Sequence, residues 1–445
     1  MIDQACPLSI ILANKEERAR RQKELLVRNS GCFLISLSIN TPSAIKLSLA
    51  SLVIYEIACQ AIDSILTQNG FECLAVQEQK ALSGAEKLFT CRGDARAFKI
   101  LTCKLEVKHP LGRLMDIDVF DPTGVLLSRT DFGFEKRRCL LCENEAFVCA
   151  REQKHSYATL NASIKKLVWQ YANEHYIALA CELAMQTEVQ LTPKPGLVDS
   201  NNSGAHSDMN IHTFYASIQA IKPFISSFLA AEPLDFATLR TIGIACEKAM
   251  LKATHGINTH KGMIFCLALF CGAIQQLQKR GEKLTCKHMQ EQIKLLAKNL
   301  VKKDLIDQNQ HSAGARYFAH SGHAGIRQYA QEGFMIVFAG SVPFFQKQSQ
   351  YHEQSHALKL TMLWLMANLI DTTLYARGGD AALLYVQQKA KDLLTCKYKN
   401  EKELNAKLYE FDADLIAKNL SAGGSADLLA LTWLASKLLE DETKN

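Results

Sequence analysis

The sequence predicts two domains, an N-terminal α+β domain followed by a C-terminal all-α domain. Three observations carry this. The chain has 445 residues, enough for two or three domains that each bury a core. Residues 1–160 mix helical apolar spacing with strand-like alternation, most clearly in CFLISLSIN and RLMDIDVF. From about Leu160 onward apolar residues recur at helical spacing and no stretch alternates. The domains are therefore set at 1–160 and 161–445. No low-complexity linker separates them, so a helix around 160–191 is expected to join them directly.

The elements follow in order. Residues 12–27 read as a helix, and the basic run KEERARRQK within it, carrying two glutamates, reads as a solvated face. Residues 32–40 alternate as a strand. Residues 47–66 are helical in spacing and end at Asn69-Gly70. Strands at 71–77 and 87–91 flank a Ser83-Gly84 turn, and Asp94 caps a helix to about Lys108. RLMDIDVFDPTGVLLSRTDFG then gives a strand, an Asp-Pro-Thr-Gly turn and a second strand. Helices are expected at 160–190, 209–230, 236–254, 260–279, 285–303, 323–348, 353–377, 380–396, 401–418 and 425–440.

Composition narrows the function. The net charge of +6 suits a phosphate-bearing substrate or an acidic partner, and no Lys/Arg run with interleaved aromatics argues for nucleic acid. Fifteen scattered cysteines and the absence of a secretory pattern at the start point to reduced thiols in the cytoplasm. The most apolar segment, taken as 262–274, is shorter than the roughly 20 residues a bilayer needs, so no membrane partner is expected.

Within the first domain Asp116 and Asp118 stand two apart on a strand and so face the same way, with Met115, Ile117 and Val119 opposite. Two adjacent carboxylates repel and need a cation. Mg²⁺ takes oxygen ligands and leaves positions for phosphate oxygens, the arrangement of metal-assisted phosphoryl or nucleotidyl transfer on a nucleotidyltransferase-like sheet. The plainer alternative is two solvated aspartates near a turn, with Asp121 a turn residue and Arg113 a surface charge. HPLGRLMDIDVFD, SRTDFG and RRCLLCENEAFVCAR, with EERARRQKELL and ISLSIN, resemble the holo-acyl-carrier-protein synthases of citrate lyase over nearly all of residues 10–160. That family usually has a Pro-Gly pair where this chain reads NTPSAIK at 40–46. The resemblance implies that a carrier-protein serine attacks the α-phosphorus of a triphosphate and pyrophosphate leaves. Asp116 and Asp118 would hold Mg²⁺, and Arg113, Lys46 or Arg129 would hold outer phosphates. Cys139, Cys142, Cys149 and His155 form C-x₂-C-x₆-C-x₅-H, a spacing that suits a tetrahedral structural Zn, the plainer alternative being a reduced half-buried loop.

Four polar clusters interrupt the second domain: TPKPGLVDSNNSGAHSDMN at 192–210, HGINTHKG at 255–262, NLIDTTLYARGG at 368–379 and NLSAGGSAD at 419–427. Asn258 or Thr259 is placed to cap one helix and Ser425 another, leaving backbone N–H groups for anions. Gly262, Gly423 and Gly424 would let a ligand approach the backbone, and Lys261 adds charge. Asp371 is read inside a helical run with Asn368 and Tyr375 on its face, and a helix is started at Ser207 or Asp208 with His212 one turn on. Four such clusters fit one polar cavity.

TPKPGLVD, GAHSDM, INTHKG, the Asp-Thr…Arg-Gly-Gly segment and NLSAGGSADLLALTW resemble the triphosphoribosyl-dephospho-CoA synthases over about 170–440. Thr373 stands where asparagine is usual there, and Ala422 where proline is common. The resemblance implies that a ribose hydroxyl of 3′-dephospho-CoA attacks C1′ of ATP's ribose and adenine leaves. Carboxylates would stabilise an oxocarbenium-like transition state and a base would take the hydroxyl proton. Lys194, Asn258, Lys261, Gly262, Arg377, Gly378, Gly423, Gly424 and Ser425 are the candidate substrate and phosphate contacts. Asp199, Asp208, Asp371 and Asp427 are candidates for Mg²⁺ or charge stabilisation, and His212 or His260 for the base. Together the two resemblances imply a bifunctional transferase whose partner is the apo-acyl carrier protein, the gamma subunit, of citrate lyase. Two other readings stay open here. One is a nucleotidyltransferase fused to a helical Mg²⁺-dependent ADP-ribosyl hydrolase or transferase, and the other is a non-catalytic maturation factor.

Overall fold

The computed structural model describes residues 2–302, 304 and 313–440. The described chain forms two compact units, Met1–Leu179 and Ala180–Asn445.

The first unit is α+β. Helix α1 (Leu8–Arg28) leads into strand β1 (Phe33–Ile39), α2 (Leu49–Gln68), the β2 (Glu72–Ala81) and β3 (Gly84–Arg92) hairpin, α3 (Ala95–Lys108) and β4 (Met115–Phe120). All pairings are antiparallel, in the order β2-β3-β1-β4. Leu25 of α1 packs with Leu34 and Leu88 on one face of the sheet. On the other face, Phe33 meets Phe71 and Phe98. The predicted caps form as expected at α3, where the Asp94 carboxylate accepts from the backbone N–H of Arg96 and Ala97. Helix α2 is, by length and composition, apolar enough to cross a membrane, which corrects the choice of 262–274 as the most apolar segment. It packs against the sheet instead, with Val53, Ile54 and Ile62 fully buried.

The predicted second strand after the Asp-Pro-Thr-Gly turn does not form. Asp121 accepts from the N–H of Thr123 and Val125 and folds the turn, as expected of a turn residue. Only the isolated pair Phe120 and Leu126 follows, and the Ser128 hydroxyl then caps a 3-10 turn at Arg129–Phe132. A short helix α4 (Ala146–Arg151) precedes the long α5 (Tyr157–Gln190), which is continuous but for non-helical backbone at Ala172.

The second unit is all-α among its described residues. It comprises the end of α5, α6 (Ile211–Leu229), α7 (Phe236–Ala253), α8 (Lys261–Lys279), α9 (Cys286–Leu296), α10 (Ala313–Ser321), α11 (Ile326–Gln331), α12 (Val342–Gln348), α13 (Gln354–Asn368), α14 (Thr372–Thr395), α15 (Glu401–Ala417) and α16 (Gly423–Leu438). The apolar α8, α13 and α16 form the centre of the core. Four boundaries depart from the expected pattern. The helix drawn to residue 303 stops at Leu296, its predicted end lying outside the described residues. The helix drawn at 323–348 divides into α11, a π-helical turn at Ile336–Ser341 and α12, with Gly333 and Phe334 at positive φ between them. The helix drawn through Asp371 ends at Asn368, and Asp371 becomes the N-cap of α14. That helix then runs through Gly378 and Gly379, where a kink replaces the predicted break.

The segment at 192–210 is a built scaffold. Asp199 accepts from the N–H of Lys194, Asn201 and Asn202. Buried Asp412 of α15 accepts from Gly196 N–H at 2.8 Å and Asn202 Nδ2 at 2.9 Å. Gly196 sits at φ 70°, with the Leu420 carbonyl where a Cβ would stand. An Asp412→Ala variant leaves the buried Gly196 N–H and the half-buried Asn202 amide without this acceptor and is expected to lower the stability of this unit by about 1–3 kcal/mol. Urea unfolding followed by tryptophan fluorescence measures this, and an unchanged midpoint would refute the tether.

Candidate active sites

In the first unit the antiparallel register sets Asp116 opposite Ser38 and Asp118 opposite Ser36, all on the face covered by α1. Met115, Ile117 and Val119 are buried on the other face. Asp116 Oδ1 accepts from Arg137 Nη1 at 2.8 Å, and Oδ2 lies 3.4 Å from the Ser38 hydroxyl. Arg137 Nη2 also donates to Glu106 at 2.7 Å, and Glu106 accepts from Ile117 N–H. Burial, reinforced by the neighbouring Asp116, holds the Asp118 carboxyl above the usual carboxylate range. Burial likewise raises Glu106.

A cavity of about 220 Å³ opens beside Asp116, with Lys15, Arg18 and Lys46 on its walls. Lys46 Nζ donates to the Thr41 carbonyl at 2.6 Å, and burial lowers its pKa. The other proposed phosphate holders lie elsewhere. Arg129 faces Glu106, at 3.4 Å. Arg113 lines a separate cavity of about 210 Å³ bordered by Cys139, Cys149 and His155. The basic run at 15–23 is not simply a solvated face, because Arg18 and Arg21 pair with buried Glu86. Sequence pattern alone assigns no role to Arg137 or Glu106. Arg137 sits in RRCLLC beside the cysteines, and nothing local marks Glu106, which reaches Arg137 across 31 residues.

In the second unit a buried polar cluster gathers where α8, α14 and α16 begin. Asp371, 1% exposed, caps α14 through Thr373 N–H at 3.0 Å and accepts from Ser425 N–H at 2.8 Å in α16. The Thr373 hydroxyl, 2.6 Å from Asp371 Oδ1, accepts from Gly423 N–H at 2.9 Å. Gly424 leaves the space its Cβ would need to the Asp371 carboxylate. The Asp427 carboxylate similarly fills the space over Gly262, at the start of α8. Asp427 is half-buried as a residue, but protein surrounds its carboxyl. Burial, then Glu188 and Asp371, push its pKa well above the carboxylate range.

Lys194 is buried and donates from Nζ to the Glu188 carbonyl at 2.9 Å and to the Glu188 carboxylate. His260 is the N-cap position of α8, while Asn258 Oδ1 accepts from Lys261 N–H. Its Nδ1 lies 2.6 Å from the Ser217 hydroxyl. Burial, and secondarily Lys194, lower its pKa to about 3. His260 Nε2 and Thr259 Oγ1 are buried with no hydrogen-bond partner among the described residues.

The structure thus brings together Lys194, His260, Gly262, Asp371, Gly423, Gly424, Ser425 and Asp427, and adds Glu188 and Thr373. Other candidates stand apart from that cluster. Asp199 spends both carboxylate oxygens on loop N–H groups. Asp208 and His212 are exposed, and the helix there starts at Ile211 with Asn210 as its cap. Lys261 pairs with Glu247 at 2.6 Å. Arg377, just before Gly378, donates to the Ala205 carbonyl, Asn419 and His206, tying 205–206 to 419. The helix starts of α8 and α16 are occupied by the chain's own acceptors rather than open to anions. Ser425 is the third residue of α16 rather than its cap.

Residues 174–445 match the family model described as ATP:dephospho-CoA triphosphoribosyl transferase. Residues 7–171 match the one described as apo-citrate lyase phosphoribosyl-dephospho-CoA transferase. The CitXG protein of Haemophilus influenzae is 36% identical over 445 aligned residues, covering 96% of this chain and 95% of that protein. The chain belongs to the CitXG family. The CitXG protein of Leuconostoc mesenteroides subsp. cremoris is 31% identical and covers 96% of both chains. A probable 2-(5″-triphosphoribosyl)-3′-dephosphocoenzyme-A synthase of Photobacterium profundum is 42% identical over 271 residues, 58% of this chain and 85% of that protein. As a CitXG-type fusion, the chain is a bifunctional transferase. Its C-terminal part makes triphosphoribosyl-dephospho-CoA from ATP and dephospho-CoA, and its N-terminal part transfers the phosphoribosyl-dephospho-CoA group to apo-citrate lyase. The paired matches do not favour an ADP-ribosyl hydrolase fusion or a non-catalytic factor.

The raised Asp427 carboxyl has a consequence for stability. Folding makes this group take up a proton, so the cost begins as pH rises above the unfolded value of about 3.9 and grows until the folded pKa is reached. An Asp427→Asn variant removes that cost. Its C-terminal unit is expected to melt at least about 2 °C above the parent at pH 7, with the gap closing toward pH 4. Calorimetry across that range checks it, and a pH-independent or negative gap would contradict the assignment.

Proposed function

We propose that the buried acidic cluster of Glu188, Asp371 and Asp427 is the centre of the synthase reaction, with residues 161–445 forming its domain. The observation that carries this is the set of buried carboxylates beside the orphaned polar atoms of Thr259 and His260. Among the described residues of this cluster Glu188 and Asp371 outnumber the one cation, Lys194, and so favour positive charge developing at C1′. His260, with a pKa near 3, is a poor proton acceptor and serves as a neutral hydrogen-bonding partner. In its ionised form Asp427, with its raised pKa, is a stronger base than an ordinary carboxylate and takes the hydroxyl proton of dephospho-CoA. Asp371 holds the two helix starts in register.

In residues 1–160, Asp116 and Asp118 are the Mg²⁺ ligands in this reading. Both offer hard oxygen donors on one face, and Asp118 is held above the usual carboxylate range by burial and by the like charge of Asp116. When bound, Mg²⁺ neutralises triphosphate charge and the pyrophosphate leaving group. Lys15, Arg18 and Lys46 bind phosphate oxygens, and Arg137 keeps Asp116 in place. The carrier is read as the gamma subunit of citrate lyase. Fifteen free cysteines and the use of ATP support a cytoplasmic location.

The test mixes protein, ATP, dephospho-CoA, Mg²⁺ and apo-carrier, with chromatography for adenine and mass spectrometry for the phosphodiester adduct. The parent should release adenine and modify one serine. Asp116→Asn should keep adenine release and lose adduct formation by about 100-fold or more. Asp427→Asn should lose adenine release by about 10²–10⁴-fold and form adduct only when given triphosphoribosyl-dephospho-CoA. Normal adenine release by Asp427→Asn would remove it from the scheme.

A second expectation concerns pH. Because Asp118 must lose its proton to bind a cation, transfer should fall as pH drops through its raised pKa. Raising Mg²⁺ should move this acid limb to lower pH, and a Mg²⁺-independent limb would count against Asp118 as a ligand.

A further inference from the structure

The segment between Arg137 and His155 holds four metal-ligating side chains that neither reaction uses. Cys139, Cys142, Cys149 and His155 each offer one ligand atom, and all four atoms lie within 4.8 Å of one another. Cys142 Sγ is 3.4 Å from Cys149 Sγ and 3.4 Å from His155 Nε2. A tetrahedral zinc with Zn–S bonds of about 2.3 Å sets its sulfurs about 3.8 Å apart, so small adjustments complete the sphere.

The backbone is shaped for such a site. Arg138 bridges Glu145 antiparallel, and Cys139 N–H donates to the Asn144 carbonyl at 2.7 Å. This closes a tight loop around Cys139 and Cys142. Leu141 N–H points at Cys139 Sγ, 3.5 Å away, and holds it toward the cluster. Cys149 is presented by α4, and Lys154 N–H, bonded to the Cys149 carbonyl, turns the chain so that His155 returns to the cluster. Cys149 is buried and the other three are half-buried.

We propose that these four residues bind one structural zinc ion, and that this metal fixes Arg137 on Asp116. Four protein ligands leave no open position, which marks a structural rather than a catalytic zinc. Binding releases the thiol protons to solvent and involves no electron transfer. The consequence for chemistry follows from chain geometry. Ala146 N–H donates to the Arg137 carbonyl at 2.8 Å, so the loop that carries the ligands also clamps the backbone of Arg137. Arg137 in turn bridges Glu106 and Asp116. The part given to Arg137 rests on the Asp116 and Asp118 reading above, whereas the metal stoichiometry does not.

The full chain, purified without chelator from zinc-supplemented cells, should carry one zinc per chain by mass spectrometry of the metal. Protein grown with cobalt should show the visible absorption of a tetrahedral cobalt–thiolate site. Cys142→Ser and His155→Ala should lose the metal, whereas His155→Cys should keep it, because four thiolates also bind zinc. Carrier modification should fall about 10–100-fold in the two metal-free variants and recover in His155→Cys. Adenine release should stay within about twofold of the parent, showing that the rest of the chain is folded. Less than about a tenth of an equivalent of metal in the parent would overturn the site, as would metal retained by Cys142→Ser, or a Cys142–Cys149 disulfide in the parent. Normal carrier modification by metal-free Cys142→Ser would overturn the link to Arg137 alone.

Discussion

The second unit depends on one interaction, the buried carboxylate of Asp371 shared between two helix starts. A helix begins with N–H groups that have no partner inside it, and an acceptor must come from elsewhere. Asp371 supplies it for α14 through Thr373 and for α16 through Ser425, 54 residues away. Sharing one anion fixes the two helices relative to each other, and it does so in a place where the anion cannot escape to water. Gly424 makes the approach possible by having no Cβ. Asp427 repeats the device one helix turn later, against Gly262 of α8. Three helix starts therefore converge on two buried carboxyl groups.

The first unit solves a related problem with the opposite balance. Its acidic pair lies on a strand, where no helix start offsets the charge. Arg137 offsets it instead, reaching Asp116 from a loop while Glu106 anchors its other arm. Glu106 is itself held by Ile117 N–H, on the strand between the two aspartates. An arginine used this way carries geometry as well as charge, because its planar fork engages two carboxylates at fixed angles. Lysine at that position would keep the charge and lose the second arm.

How far the sequence disclosed this follows from the range of the forces involved. The alternation of β4 was legible because its buried face consists of Met115, Ile117 and Val119, a period-two signal contained in six residues. The Asp94 cap was legible because its partners lie two and three residues on. The break at Asp371 was not. Apolar WLMANLI leads into it with helical spacing, and only the distant Ser425 and Gly424 make the N-cap conformation worth adopting. Family resemblance located segments that the fold brings together, yet it could not say which side chain turns inward. Glu188 and Glu106 lay outside every quoted motif, and both are central to a buried network.

The segment TPKPGLVDSNNSGAHSDMN shows why composition alone misleads about roles. Its aspartates and histidines suggest a ligand-binding wall. Each carboxylate, however, has a finite number of acceptor sites, and the occupied ones cannot also hold a cation. Asp199 is spent on three N–H groups of its own loop. His206 is committed to Ser421 and Arg377. Asp208 and His212 have free valences but face solvent, where a charge is screened and gives little differential stabilisation. The residue of this segment that reaches the buried acidic cluster is Lys194, which is buried against Glu188. The prolines, glycines and asparagines therefore serve to carry one lysine inward and to hold it there, and the loop's polarity is mostly the cost of folding tightly without a helix.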